Sequence, residues 1–147
     1  MKVLSLFDGI SCGMLALQRA GIPVECYDAF EIDKYAVTVS KRNFPVIVHH
    51  GNVYDGDFTQ FRGYDLLLGG SPCTYWSIAK KDREVDCNGE GFRLFKEYVR
   101  ALEESGCKYF LYENNYSVHQ RIKDEISKTL GVEPIMINSA LVSAQNR

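Results

Sequence analysis

At 147 residues and 46% hydrophobic, the chain is long enough for one domain with a packed core, and nine Tyr and eight Phe exclude a disordered segment. Its formal charge of −2 argues against a self-sufficient DNA-binding module, which needs a basic surplus to neutralise phosphates. Five scattered cysteines with no Cys-x-x-Cys pair exclude a disulfide framework, and the absence of any stretch of membrane-span length points to a soluble, cytoplasmic protein.

The first apolar run, Val3–Phe7, predicts a buried strand, and a helical period follows over Gly13–Ala20. Between them stands Asp8-Gly9-Ile10-Ser11-Cys12-Gly13. Glycines there permit a tight turn and a close approach of backbone to ligand. The pattern is not Gly-x-Gly-x-x-Gly, and Asp8 would repel a pyrophosphate. A carboxylate at that turn suits a cationic ligand, such as the sulfonium or α-amino group of S-adenosylmethionine; it equally suits an Asx hydrogen bond in an ordinary turn.

The second strand, Val24–Phe30, ends at Glu31-Ile32-Asp33. Glu31 lies about twenty residues beyond the glycine turn, the interval at which an acidic side chain meets the ribose of an adenosine cofactor. Asp33 reads as the N-cap of the helix Lys34–Asn43. A third strand, Val46–His49, ends at Gly51-Asn52-Val53, where Asn52 reads either as a partner for an adenine edge or as a turn former.

The fourth strand, Tyr64–Leu68, runs directly into Gly69-Gly70-Ser71-Pro72-Cys73. A lone cysteine is ordinarily a small buried hydrophobe. On a loop constrained by Gly and Pro, at the strand end where α/β sheets hold ligands, Cys73 reads instead as a nucleophile facing the crevice. The stretch Thr74–Gly91, with Lys80, Lys81, Asp82, Arg83, Gly89 and Gly91, is a long loop. In the helix Phe92–Ser105, Phe92, Phe95, Val99 and Leu102 recur on one face, with Gly106 as C-cap.

Tyr109–Tyr112 is a fifth strand, and Glu113-Asn114-Asn115 at its end puts a carboxylate at the mouth of a strand neighbouring that of Cys73. A helix over Ser117–Leu130, capped by Gly131, and a sixth strand over Pro134–Ile137 complete the elements before Gln145-Asn146-Arg147. Alternating strands and helices predict one α/β domain with a Rossmann-like, doubly wound sheet.

Phe-Asp-Gly-x-x-x-Gly, Glu-x-Asp, Gly-Gly-Ser-Pro-Cys, Glu-Asn and Gln-x-Arg, in this order, resemble the DNA cytosine-5 methyltransferases, and Gly91–Phe95 resembles that family's Gly-x-x-Leu-Phe segment. The resemblance covers essentially the whole chain. It implies a mostly parallel sheet of the S-adenosylmethionine-dependent methyltransferase type, and a cofactor-binding catalytic domain over residues 1–147. Its cofactor is S-adenosyl-L-methionine and its substrate double-stranded DNA.

Carried over residue by residue, Cys73 matches the thiolate that adds to carbon 6 of a flipped-out cytosine, activating carbon 5 toward the sulfonium methyl. Glu113 matches the group that bonds ring nitrogen 3 and the exocyclic amine. Gln145 and Arg147 match the start of the Gln-x-Arg-x-Arg motif, and Arg147 is counted with the catalytic set. Phe7, Asp8, Gly9, Gly13, Glu31, Ile32, Asn52, Val53, Pro72 and Leu94 match cofactor-binding positions. Thr74–Gly91 becomes a mobile active-site loop whose Lys80, Lys81 and Arg83 meet phosphates as it closes, though Lys80 and Lys81 equally suit a solvated surface loop.

Departures accompany the match. Asn115 stands where the family usually has Val, and Asn52 where it usually has Asp. The sequence stops inside the last motif, before a target-recognition region, the last sheet strand and a C-terminal helix. The expectation is a fragment, a split subunit needing a C-terminal companion, or a decayed homologue. A nucleotide-binding module without chemistry is the alternative, though such a module needs neither Cys73 nor Glu113. None of His49, His50 and His119 forms a convincing Cys–His pair in sequence context, which disfavours a thiol hydrolase.

Overall fold

Five strands, all parallel, carry the chain, which a computed structural model describes over residues 1–141. In chain order these are β1 (Lys2–Leu6), α1 (Cys12–Arg19), β2 (Cys26–Phe30), α2 (Lys34–Asn43), β3 (Val48–His49), β4 (Leu66–Gly69), α3 (Glu90–Ser105), β5 (Tyr109–Tyr112) and α4 (Gln120–Leu130). The order across the sheet is β3-β2-β1-β4-β5. The chain thus winds outward from β1 to β3, then returns to place β4 on the other side of β1. That reversal opens a crevice at the C-terminal ends of β1 and β4, where a doubly wound sheet binds its ligand.

Residue alternation along β1 explains the two layers. Leu4 and Leu6 pack with Phe30, Leu67, Tyr98 and Ala101 toward α3, while Val3 packs with Met14, Leu17, Tyr27 and Ala29 toward α1. A strand covered on both faces must read as a near-continuous apolar run, and β1 does. Trp76, Phe92, Phe95, Val118 and Ile122 form a third cluster under α3 and α4.

The helix ends follow their caps. Asp33 accepts from the Tyr35 and Ala36 amides at the start of α2, and Gly106 and Gly131 take the left-handed conformation (φ 64° and 70°) that ends α3 and α4. α3 starts at Glu90, two residues before the expected Phe92, and its buried face is Phe92, Phe95, Tyr98, Ala101 and Ser105. Val99 and Leu102 are only half-buried. Tyr98 takes the deeper position because its hydroxyl donates to the Leu67 carbonyl at 3.3 Å. α4 starts at Gln120 instead of Ser117, because residues 115–118 are held in a turn and His119 caps the helix.

The expected sixth strand is absent from the described residues. Residues 133–138 have no regular structure, with Ile135 87% and Ile137 75% exposed. An apolar run forms a strand only where another strand takes its ladder hydrogen bonds, and among the described residues β5 pairs with β4 alone. Among the described residues no helix is long and apolar enough to cross a membrane.

Candidate active site

The loop after β1 is held in an uncommon conformation. Phe7 and Ser11 have φ of 57° and 65°, the left-handed region that residues with a Cβ seldom enter, and Gly9 has φ 59°. Asp8 stabilises the turn from inside: it accepts from Ser5 Oγ at 2.6 Å, from the Tyr27 hydroxyl at 2.7 Å and from Ser11 Oγ. Its carboxylate is therefore engaged by three hydroxyls behind the loop, the turn-forming arrangement. Gly13 likewise faces inward. A Cβ there would lie 2.8 Å from both the Leu68 side chain and the Tyr27 hydroxyl oxygen.

Glu31 joins the first two strand ends. Its Oε2 accepts from the Gly9 amide at 2.8 Å, and its Oε1 accepts from the Ile32 and Asp33 amides, each at 2.8 Å. A carboxylate offers about four acceptor positions, so three are filled and one on Oε2 remains open. Asn52 uses its side-chain oxygen to cap a short turn, accepting from the Tyr54 amide at 3.1 Å. Of its two readings, turn former is the one seen.

These residues border a cleft of about 180 Å³. Seven of the ten expected cofactor positions line it: Phe7, Glu31, Ile32, Asn52, Val53, Pro72 and Leu94; Asp8, Gly9 and Gly13 do not. Gly9 lies directly behind it, bonded to Glu31. Sequence reasoning missed Phe30, Gly51, Tyr54, Tyr75 and Glu90 in the lining. Phe30 and Gly51 adjoin expected positions and were within reach, whereas nothing in the sequence connects Tyr54 with Glu90. The Tyr54 hydroxyl donates to Glu90 Oε1 at 2.7 Å, bridging the β3 loop and the start of α3. Burial, then the Glu90 carboxylate, push Tyr54 up to about 12, which keeps the phenol a donor. Largely apolar walls with two carboxylates, of which Glu90 is engaged by Tyr54, fit an adenosine-bearing cofactor.

Cys73 stands exposed at the end of the β4 loop, in a short 3-10 turn over Cys73–Tyr75. The loop is pinned to β5. Glu113 N donates to the Gly69 carbonyl at 2.9 Å, Asn114 Nδ2 donates to the Ser71 carbonyl at 2.9 Å, and Ser71 Oγ lies 2.6 Å from the Tyr112 hydroxyl. Cys73 and Glu113 therefore arise from adjacent strand ends. The histidines are engaged elsewhere: His49 with Ser40, His50 with Asp28, and His119 at the α4 cap. Gln145 and Arg147 lie outside the described residues.

The stretch 74–91, which the resemblance makes a mobile active-site loop, is tied down at several points. Trp76 is fully buried, and Glu84 Oε2 accepts from its indole N–H at 3.2 Å and from the Gly91 amide at 3.1 Å. Arg83 donates to the Ser117 carbonyl at 3.0 Å. Lys80 and Lys81 remain exposed.

Residues 1–131 match the family model described as C-5 cytosine-specific DNA methylase. The chain belongs to this family. Among relatives of the C-5 cytosine methylases, the orphan methyltransferase M.SPRI of Bacillus phage SPR is 38% identical over 118 residues, covering 78% of this chain and 26% of that protein. The type II methyltransferase M.HgiCII of Herpetosiphon aurantiacus is 34% identical over 116 residues, covering 77% and 25% respectively. This C-5 methylase chain thus spans about a quarter of the length of the curated relatives it matches. Its fold is similar to that of a DNMT2 mutant from Spodoptera frugiperda, with TM-score 0.64 and 23% identity over 87% of this chain and 40% of that one. It is also similar to the S. pombe Dnmt2 methyltransferase, with TM-score 0.62 and 18% identity over 89% and 41%. At such identities the likeness establishes the methyltransferase fold.

Proposed function

We propose that residues 1–147 form the cofactor-binding, nucleophile-bearing domain of a DNA (cytosine-5-)-methyltransferase. One observation carries the reading: the Cys73 loop and Glu113 are joined strand end to strand end, beside a cleft walled by Phe7, Glu31 and Pro72. Glu31 would hold the ribose of S-adenosyl-L-methionine, and Ile32, Asn52 and Val53 its base; the bound cofactor would supply the methyl group. The Cys73 thiolate adds to carbon 6 of cytosine while a protonated Glu113 donates its proton to ring nitrogen 3 and accepts from the exocyclic amine; once carbon 5 is methylated, loss of the carbon 5 proton and elimination of the thiolate release the enzyme. Arg147 completes the catalytic set.

Double-stranded DNA is the substrate, and a companion segment supplies target recognition. With a formal charge of −2, the domain by itself offers Lys80, Lys81 and Arg83 to phosphates. Flipping a base costs a few kcal/mol, more than so few contacts offset. The isolated domain is expected to bind cofactor and to methylate DNA negligibly.

Calorimetry with S-adenosylhomocysteine tests the first half. Binding is expected, with Glu31→Ala weakening it most among the lining residues; no heat at millimolar ligand sinks the cofactor assignment. DNA containing 5-fluorocytosine tests the second. A covalent adduct through Cys73 is expected only once the companion segment is present. Adduct formation by the isolated domain overturns the division of labour, and no adduct in the completed protein points to a non-catalytic homologue.

A further inference from the structure

A buried polar chain runs behind the cleft, and none of the roles above uses it. From Asp8 it passes to Ser11, whose Oγ lies 2.5 Å from Ser40 Oγ; Ser40 Oγ in turn lies 3.2 Å from His49 Nε2. Ser11 and Ser40 are completely buried, so water cannot stand in for a lost link.

Each link has one allowed direction. A hydroxyl carries a single proton, and a carboxylate only accepts. Ser11 therefore donates to Asp8, and Ser40 must donate to Ser11. Ser40 has no proton left for His49, so His49 must donate through Nε2–H. The neutral ring then carries a bare Nδ1. Independently, His49 Nδ1 is the buried side-chain atom without a hydrogen-bond partner among the described residues, as that tautomer permits.

We propose that Ser11, Ser40 and His49 are positioning residues: a one-way hydrogen-bond relay from His49 on β3 through Ser40 on α2 to Asp8, holding the cofactor loop. What needs holding is visible in the backbone. Phe7, which lines the cleft, and Ser11 both sit in the left-handed region, and Gly9 must present its amide to Glu31 at 2.8 Å. Ser11 is tied from both sides by Asp8 and Ser40, which offsets its unfavourable backbone. The relay thus connects two elements that do not touch the ligand to the wall that does. The proposal rests on the cofactor reading of the cleft.

The test uses Ser40→Ala, His49→Leu and His49→Gln in the 147-residue chain, with S-adenosylhomocysteine as the probe. Glutamine places an N–H donor near the position of Nε2, whereas leucine removes it. Ser40→Ala and His49→Leu are expected to weaken binding by about tenfold, the effect of one well-made hydrogen bond. His49→Gln should restore most of it, with thermal melts confirming folded protein. Equal losses in His49→Leu and His49→Gln, or none in His49→Leu, overturn the relay. Two readouts need no ligand. Imidazole nitrogen NMR should show His49 as the Nε2–H tautomer, and exchange of the Gly9 amide should quicken in Ser40→Ala and His49→Leu but not in His49→Gln. An Nδ1–H tautomer overturns the proposal even where binding is unchanged. Failure of the parent chain to bind the probe, with both NMR readouts as expected, instead refutes the cofactor reading and leaves the relay a holder of the loop.

Discussion

Gly70 and Glu113 stand back to back: a Cβ on Gly70 would lie 2.2 Å from the Glu113 carbonyl oxygen and 3.4 Å from its Oε2. The missing side chain is what lets the end of β5 close onto the loop that carries Cys73. In the register of the sheet Gly69 faces Tyr112, so the pairing of β4 and β5 delivers Gly70 to Glu113 directly. The Gly-Gly before Ser-Pro-Cys thus serves a contact between strand ends, beyond making a turn.

Gly70→Ala is therefore expected to be costly out of proportion to one methyl group. The atom it meets is backbone, which cannot swing aside as a flexible side chain would. Overpacking of this kind costs on the order of 1–3 kcal/mol, and the urea midpoint should fall accordingly. In the completed enzyme, adduct formation through Cys73 should suffer more than cofactor affinity, because Glu31 lies on a different strand end. An unchanged midpoint would show that the two strand ends are further apart than described.

A second prediction concerns the loop after Cys73. Glu84 joins the Trp76 indole to the first turn of α3, and a Cβ at Gly89 would fall 2.1 Å from its carboxyl carbon. Glu84→Ala leaves two donors, the indole N–H and the Gly91 amide, without partners, at a cost of about 1–3 kcal/mol each if they stay buried. The loop should then open more often and expose Lys80 and Lys81 to trypsin. Limited digestion with mass spectrometry should show faster cleavage after these lysines than in the parent; equal rates would mean that the buried Trp76 and the Arg83–Ser117 bond hold the loop without Glu84.

The legible parts of the site were those written in consecutive residues. Cys73, Glu31 and Pro72 sit on turns directly following apolar runs, and a parallel sheet gathers such turns at one edge whatever the pairing order. Asp8 was legible as a turn residue but not in its direction, because Ser5, Tyr27 and Ser11 converge on it from two strands and a loop. The link from Tyr54 to Glu90 spans 36 positions and has no local pattern at either end. Ser40 and His49 are illegible for the same reason: a serine in a helix and a histidine closing a strand become a relay only once β3 is laid beside β2. Pro134–Ile137 shows the converse, an apolar run with strand character and, among the described residues, no neighbouring strand to pair with.

The last prediction follows from His49. Burial is the largest influence on its ring and pushes it below the ordinary 6.5; Asp8 and Glu31 pull it up, while Lys41 and His50 push it further down. In the unfolded chain the same imidazole titrates near its ordinary value. As pH falls through about 6.5, the unfolded chain therefore takes up a proton that the folded chain refuses, and stability must decrease. Above that value both states hold a neutral ring, and this group contributes no slope. The added proton would sit on Nδ1, buried without an acceptor, so the folded state has no way to accommodate it cheaply. Urea midpoints measured from pH 7.5 down to 5.5 should accordingly drop on the acid side in the parent chain. His49→Gln, which keeps the donor to Ser40 and cannot titrate, should show a shallower drop over the same interval. Parallel profiles for the two proteins would assign the acid sensitivity to other groups and remove His49 from the account.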